Sequence, residues 1–310
     1  MRVVFAGTPG NAAATLGRLV QLHEVVGVIS RPDAPRGRSS RLVESEVSAA
    51  AESALGLELV KPKSLKEAGI VEWVRELQPD IGVVVAYGGL IPPELLEIPV
   101  FGWVNVHYSI LPRWRGAAPV QRAILAGDEV TGVTVFGLVD ELDAGPVYTV
   151  SELQITGQTA GELLDELTPL GAQALMRALY GIDNRALSPL PQADEGVTYA
   201  QKLTVAEGEI DWRAPAEVIE RQVRAYNPAP LAWTTLYPGG DPAGERLQVL
   251  AAQPTDVELP PGEVRPQKRR TLVGTGTQAL ELARVRPAGR KEMAGADWGR
   301  GLRGDGWRVG

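Results

Sequence analysis

Gly102-Trp103-Val104-Asn105-Val106-His107-Tyr108-Ser109-Ile110-Leu111-Pro112 opens on a short apolar run and closes in a proline-ended loop. Side chains at i and i+2 of a strand leave the same face, so a strand through Val104 brings Asn105 and His107 together at its carboxyl end. An amide N–H donor beside a titratable imidazole suits acyl transfer. One group can hold an oxyanion while the other passes a proton to or from a nitrogen. The same pair can also do no more than satisfy backbone groups at a strand end, so it needs its surroundings to be read.

Outward from this strand, the first half of the chain alternates strand and helix signals. Val3 to Ala6 is an apolar strand ending at Gly7, and Ala12 to Leu22 has helical spacing through Leu16, Leu19 and Val20. Val25 to Ile29, Asp80 to Ala86 and Val104 to His107 follow as further strands. This order predicts a parallel sheet with crossover helices, whose ligands collect beyond the carboxyl ends of the strands. Gly7-Thr8-Pro9-Gly10, Tyr87-Gly88-Gly89 and the loop after His107 all fall there. Gly132 to Val139 and Val147 to Ile155 are expected as alternating strands with Asp143 between them. Thr159-Ala160-Gly161-Glu162 fits a capping box opening a helix through Leu163, Leu167, Leu170 and Leu175, with Pro169 as its expected kink. His23, near the end of the first helix, reads as structural, a cation complementing the helix dipole.

From about Asp183 to Thr198 the chain turns polar and proline-rich, the composition of an interdomain linker. Pro215 is placed to begin a helix running to about Tyr226, with Val218, Ile219 and Val223 on one side. Segments near Leu247 to Ala251, Thr271 to Gly274 and Ala279 to Ala283, separated by Gly and Pro clusters, predict a small β-rich domain. The boundaries expected are 1–182, a linker over 183–203, and 204–310.

The 310 residues suffice for one large or two ordinary domains. With no cysteine, disulfides, thiolate metal sites and cysteine nucleophiles are excluded, and two histidines argue against a histidine metal centre, so no metal is expected. No apolar run is long enough to span a bilayer, and the N-terminus lacks a secretory arrangement, so a cytoplasmic protein without membrane attachment is expected. The net charge of -7 is unevenly spread. From Arg265 onward, eleven Lys and Arg stand against four Asp and Glu, beginning with Arg265 and Lys268-Arg269-Arg270. Such a basic segment on an acidic chain is either a solvated face or the footprint of a polyanion such as RNA.

Asn105 through Pro119, followed by Val120-Gln121-Arg122-Ala123-Ile124, resembles the signature of the folate-dependent formyltransferases. The resemblance runs almost end to end, through V-F-A-G-T-P from Val4, R-P-D-A-P-R-G-R from Arg31, A-Y-G-G-L-I-P from Ala86, L-D-A-G from Leu142, I-D-W from Ile210, A-Y-N-P from Ala225 and R-P-A-G-R-K from Arg286. It implies an α/β fold: a Rossmann-like parallel-sheet catalytic domain followed by a smaller β-barrel of oligonucleotide-binding type. It further implies a monomer that transfers the formyl group of 10-formyltetrahydrofolate to the amino group of methionyl initiator tRNA.

The family's catalytic trio falls on Asn105, His107 and Asp143. Asp140 and Glu141 lie close by, so the choice of Asp143 rests on the L-D-x-G match. On this reading Asn105 and a protonated His107 hold the oxyanion. His107 then gives its proton to the departing folate nitrogen, and Asp143 orients the imidazole and receives the amine's proton. Tyr87, Gly88 and Gly89, and the turn Ser109-Ile110-Leu111-Pro112, correspond to folate-contacting segments. Tyr108 stands where related enzymes usually carry Gly or Pro, a departure that bears on the shape of the pocket. Arg36, Arg38 and Arg41 fall in a segment resembling a tRNA-contacting loop, where Ser39-Ser40 replaces the more usual basic residues. Lys268, Arg269 and Arg270 are the matching candidates in the C-terminal domain.

Glycinamide ribonucleotide and nucleotide-sugar formyltransferases share the trio but lack this matched basic C-terminal domain. A nicotinamide-dependent protein is a different class, suggested by the glycine turn after the first strand. Gly7-Thr8-Pro9-Gly10 lacks the dinucleotide spacing, and Pro9 removes a backbone donor that could face a phosphate.

Overall fold

The computed structural model describes residues 1–35, 40–67, 69–238 and 243–310. They fall into two compact units. The first comprises 1–119, 130–154 and 164–200, and the second 120–129, 155–163 and 201–310.

In the first unit, β1 (Arg2–Gly7), α1 (Gly10–Leu19), β2 (Glu24–Ile29), β3 (Leu59–Val60), α2 (Ile70–Glu76), β4 (Ile81–Val85) and β5 (Trp103–His107) follow in sequence. The strands assemble as β3-β2-β1-β4-β5, all parallel. β1 and β4 read as near-continuous hydrophobic runs because the parallel strands at the centre are covered on both faces: Val3 to Ala6 and the whole of Ile81–Val85 are buried. Gly7 ends β1 because a Cβ there would lie 2.7 Å from the Phe5 ring and 2.9 Å from Ala12. This glycine is explained by close packing of α1 onto the strand, which removes the dinucleotide reading its main support.

Past β5 come a two-residue β6 (Arg115–Gly116), α3 (Pro119–Ala126), β7 (Val130–Gly137), β8 (Val147–Gln154), α4 (Ala160–Asp183) and β9 (Tyr199–Ala200). β7 and β8 extend the sheet antiparallel beyond β5. Of the two expected alternating strands, only β8 alternates; β7 is buried from Thr131 to Phe136 because it lies inside the sheet between β5 and β8. The capping box forms, with the Glu162 amide donating to Thr159 Oγ1 at 3.3 Å and Glu162 Oε2 accepting from the Thr159 amide at 2.9 Å. The helix then continues through Pro169 to Asp183.

In the second unit, α5 (Ala216–Ala225) begins after Pro215, which serves as its N-cap. β10 (Ala232–Tyr237), β11 (Glu245–Pro254), β12 (Val264–Pro266), β13 (Thr271–Val273), β14 (Leu280–Pro287), β15 (Met293–Ala294), α6 (Gly295–Gly301) and β16 (Arg308–Val309) complete it. The sheet runs β12-β13-β14-β11-β10-β16, antiparallel throughout, with β15 beside β14. Its outer strands meet: the Val264 amide donates to Trp307 O at 3.0 Å and the Val309 amide to Gly262 O at 2.9 Å. That contact nearly closes the sheet into a barrel and leaves little free edge. Trp212 of the I-D-W motif is buried and donates to Thr234 Oγ1 at 2.9 Å, and Asn227 of A-Y-N-P donates to Leu250 O at 2.7 Å. These two motifs are therefore structural.

Candidate functional site

At the carboxyl ends of β4 and β5 lies a cavity of about 570 Å³. Asn105 and Asp143 share its wall with Tyr87, Gly89, Ile91 and Leu96 on one side and Leu138 to Leu142 on the other. Among the described residues nothing hydrogen-bonds the Asn105 amide, which leaves both its N–H groups for a ligand. His107 sits two residues on, buried at 5% exposure.

The imidazole is held from both sides. Its Nε2 lies 2.8 Å from Trp114 O, and since a carbonyl only accepts, Nε2 carries the proton. Trp114 adopts φ +65, a conformation rare for a bulky residue, and its amide donates to Thr198 Oγ1 at 2.9 Å. On the other side His107 Nδ1 faces Asp143 Oδ2 at 3.8 Å. Burial pushes the imidazole below its ordinary value, while the Asp143 charge and the Trp114 carbonyl pull weakly the other way. Burial thus favours the neutral imidazole, with Nδ1 as the nitrogen that faces Asp143. The protonated imidazole expected in the tetrahedral intermediate would therefore form against this desolvation, with the Asp143 carboxylate 3.8 Å away in its favour.

Asp143 itself stands at φ +49, its Oδ2 accepting from the Gly116 amide at 2.7 Å. Gly145 follows because any Cβ there would fall 1.7 Å from Gly137 O. The L-D-A-G motif therefore encodes a loop pressed against the end of β7. Glu141 is turned away to pair with Arg115 Nη1 at 3.1 Å. Asp140 lines the cavity without approaching the imidazole as Asp143 does.

Of the remaining candidates, Tyr87 and Gly89 reach the cavity and Gly88 does not. Ser109 to Pro112 do not line it either. That turn is packed inward, with Ser109 Oγ donating to Arg113 O at 2.6 Å, the Leu111 amide to Thr134 Oγ1 at 3.1 Å, and Thr134 Oγ1 to Ser109 O at 2.7 Å. Its role is to hold the loop that carries Trp114. Tyr108 is buried toward Asn11, Thr15 and Thr168 and is not part of the cavity wall. His23 is lowered by burial and by the neighbouring N-terminal amine, which disfavours the helix-end cation expected there.

Arg31, Lys63 and Lys66 line the same cavity and carried no signal in the sequence, since Arg31 lies on one loop and Lys63 and Lys66 on another, about thirty residues away along the chain. Lys61 nearby is engaged by Asp33 at 3.2 Å and Glu52 at 3.4 Å, whereas Lys63 and Lys66 make no ion pair among the described residues. Residues 190–200, proline-rich and expected as linker, are bound to the site's loops. Leu190 and Val147 exchange backbone hydrogen bonds, and β9 pairs with β6. Gln192 donates to Asp143 O at 2.7 Å and Gly145 O at 2.8 Å.

Arg36 and Arg38 lie outside the described residues; Arg41 is exposed. Lys268, Arg269 and Arg270 form the tip between β12 and β13, where Arg270 Nε donates to Gln267 Oε1 at 2.8 Å. Much of the surrounding basic charge is locally paired, Arg265 with Glu263 at 2.7 Å, Arg284 and Arg286 with Glu292 at 3.1 and 3.6 Å, and Arg300 with Asp297. Among the described residues, no cluster of three side chains suited to a metal ion occurs and no helix is long and apolar enough to cross a membrane.

Comparison with known proteins accords with both units. Residues 1–179 match the formyl transferase family and residues 202–303 its C-terminal domain. A methionyl-tRNA formyltransferase of Nocardioides sp. (strain ATCC BAA-499 / JS614) is 51% identical over 98% of this chain and 96% of its own length. That of Thermobifida fusca (strain YX) is 48% identical over 100% and 99%. Among solved structures, HypX from Aquifex aeolicus in complex with tetrahydrofolic acid shares the fold, with a TM-score of 0.67 at 20% identity over 98% of this chain, which spans about half (48%) of that one. Methionyl-tRNA formyltransferase from Clostridium thermocellum does so with a TM-score of 0.55 at 18% identity, over 83% of this chain and 94% of that one. With family matches over both domains and near half-identity to full-length relatives, the chain belongs to the formyl transferase family.

Proposed function

We propose that the protein transfers the formyl group of 10-formyltetrahydrofolate to the amino group of methionyl initiator tRNA, as a cytoplasmic monomer without a metal. Residues 1–182 carry folate binding and catalysis, 183–203 lead to the second domain while packing residues 190–200 against the site's loops, and 204–310 bind tRNA. The observation that carries the reading is that Asn105 and Asp143 share one cavity wall, with His107 held between Asp143 and Trp114.

The amine adds to the formyl carbon, and negative charge develops on the formyl oxygen. The unengaged Asn105 amide donates to that oxyanion. The attacking nitrogen must lose a proton and the folate nitrogen must gain one. Nδ1 of neutral His107 accepts the first, and the imidazolium so formed is stabilised between Trp114 O and the Asp143 carboxylate. The same proton then passes to the folate nitrogen as the carbon–nitrogen bond breaks. Tyr87, Gly89 and the apolar wall at Ile91 and Leu96 suit a flat heterocycle. Arg31, Lys63 and Lys66 suit the acidic tail of the donor. Lys268, Arg269, Arg270 and Arg41, with Arg36 and Arg38 outside the described residues, are the proposed tRNA contacts.

The test supplies 10-formyltetrahydrofolate with methionyl initiator tRNA, free methionine or glycinamide ribonucleotide as acceptor. Formylation of the charged tRNA alone is expected, and transfer to a small acceptor overturns the tRNA reading. Asn105→Ala is expected to lower kcat about 100-fold or more, the usual cost of losing one oxyanion donor; a normal kcat removes Asn105 from the mechanism.

A further inference from the structure

The reading of Asp143 as the carboxylate beside His107 leaves open what holds that carboxylate in place. Asp143 sits on a loop in a left-handed conformation, φ +49, uncommon for a non-glycine residue though Asp is among those that adopt it most readily. Three constraints converge on it. Gly145 lets the chain press against Gly137 O, the Gly116 amide holds Oδ2 at 2.7 Å, and the Gln192 amide nitrogen bridges the carbonyls of Asp143 and Gly145 at 2.7 and 2.8 Å.

The Gln192 side chain has one self-consistent orientation. Both carbonyls only accept, so its NH₂ faces them. Its Oε1 accepts from Arg115 Nε at 3.1 Å and Nη2 at 2.9 Å, and a guanidinium only donates. Arg115 is buried at 7% exposure, and its remaining contact is Glu141 Oε1 at 3.1 Å, on the same loop. Glu141, Asp143 and Gly145 are therefore gripped at three points by one Arg–Gln pair, whose glutamine comes from the stretch composed like a linker.

Resting on the catalytic reading of Asp143, we propose that Gln192, oriented by Arg115, is a positioning residue that fixes the Asp143 carboxylate against His107. The bond broken or formed in the reaction never touches Gln192. Its effect is geometric, and displacement of a reacting group by about 1 Å can cost on the order of 100-fold in rate.

The experiment compares wild type, Gln192→Glu, Asp143→Asn and the double variant for kcat, KM for the formyl donor, KM for charged tRNA, and thermal midpoint. Q192E keeps the acceptor for Arg115 and adds an ion pair to it, so the fold is retained. It replaces the NH₂ with an acceptor that opposes two carbonyls, so the loop is released. Expected for Q192E is a kcat lowered about 10-fold or more with both KM values within about threefold and the midpoint kept. In the D143N background the same change is expected to cost nothing further, because the group it positions is already gone. Asn tolerates the left-handed conformation, which keeps D143N a clean background. Gln192→Met, of similar volume and without either polar group, is the second variant, with the same kcat loss expected. A wild-type kcat in Q192E and Q192M, or a loss that multiplies undiminished onto D143N, overturns the clamp while leaving Asp143 intact. A normal kcat in D143N itself overturns the catalytic reading and the clamp with it.

Discussion

An imidazole whose Nε2 proton is committed to a backbone carbonyl has one nitrogen left for chemistry, and in His107 that nitrogen faces Asp143. The chain holds only two histidines, so both titrations can be followed by NMR. His107 is expected to titrate below the ordinary 6.5, and Asp143→Asn to lower it further, since the mutation removes the charge that opposes desolvation. His23 is expected to stay put in that variant; a His107 titration that rises, or His23 moving with it, contradicts the assignment. Because the free enzyme must hold His107 neutral, the acid limb of kcat/KM should also fall below pH 6.5. The consequence for stability has a definite sign. Below about pH 6.5 the unfolded chain takes up a proton that native His107 refuses, so its contribution to stability is full above that pH and is lost as the pH falls toward the native value. His23 contributes with the same sign, and His107→Gln should remove only its own share of the slope.

At the scale of elements, β7 carries more than its two neighbours in the sheet. Thr134, fully buried, accepts from the Leu111 amide and donates to Ser109 O, pinning the turn after β5 to the strand beside it. Thr134→Val conserves shape but leaves a buried amide and a buried carbonyl without partners. Each such group costs about 1–3 kcal/mol, so a loss of roughly 2–6 kcal/mol in urea unfolding is expected. A loss below 1 kcal/mol indicates that the turn repacks and that Trp114 is held by Thr198 alone. The helices after β1, from Thr159 and from Pro215, and the central parallel strands were legible because their hydrophobic periods are local, whereas α2, α3, α6 and the two-residue β3 were not expected. β7 was misread as half-exposed because an antiparallel strand inside a sheet shows its burial only once β8 covers its far side. The short strands β12 and β16 carry no period of their own and exist by pairing across the barrel.

Over the whole molecule, charge and chemistry are segregated along the chain, the trio lying in the first unit and the basic excess in the second. Pairing decides which basic residues can serve a polyanion. Lys268 and Arg269, at an exposed hairpin tip without an ion pair among the described residues, should each neutralise a phosphate. Arg284 and Arg286 already face Glu292. Replacing Lys268 and Arg269 with Ala is expected to flatten the slope of log affinity for tRNA against log salt by about 1–2, with kcat at saturating tRNA kept. The Arg284→Ala, Arg286→Ala pair should change it less. Equal slopes in wild type and the Lys268/Arg269 variant would remove the tip from the interface.

The sequence alone determined the parallel sheet, the closing β-rich domain and the Asn105–His107 pair, because apolar period, turn residues and an N-x-H spacing are properties of neighbours along the chain; the family and Asp143 came from the resemblance of its motifs, L-D-A-G among them. Only the tertiary structure decided the burial that lowers His107, the inward packing of Ser109 to Pro112 and the turning of Tyr108 away from the cavity. It also brought Gln192 to Asp143, 49 residues apart in sequence. Burial and long-range hydrogen bonds set these, and both arise from groups far along the chain that composition and spacing do not relate.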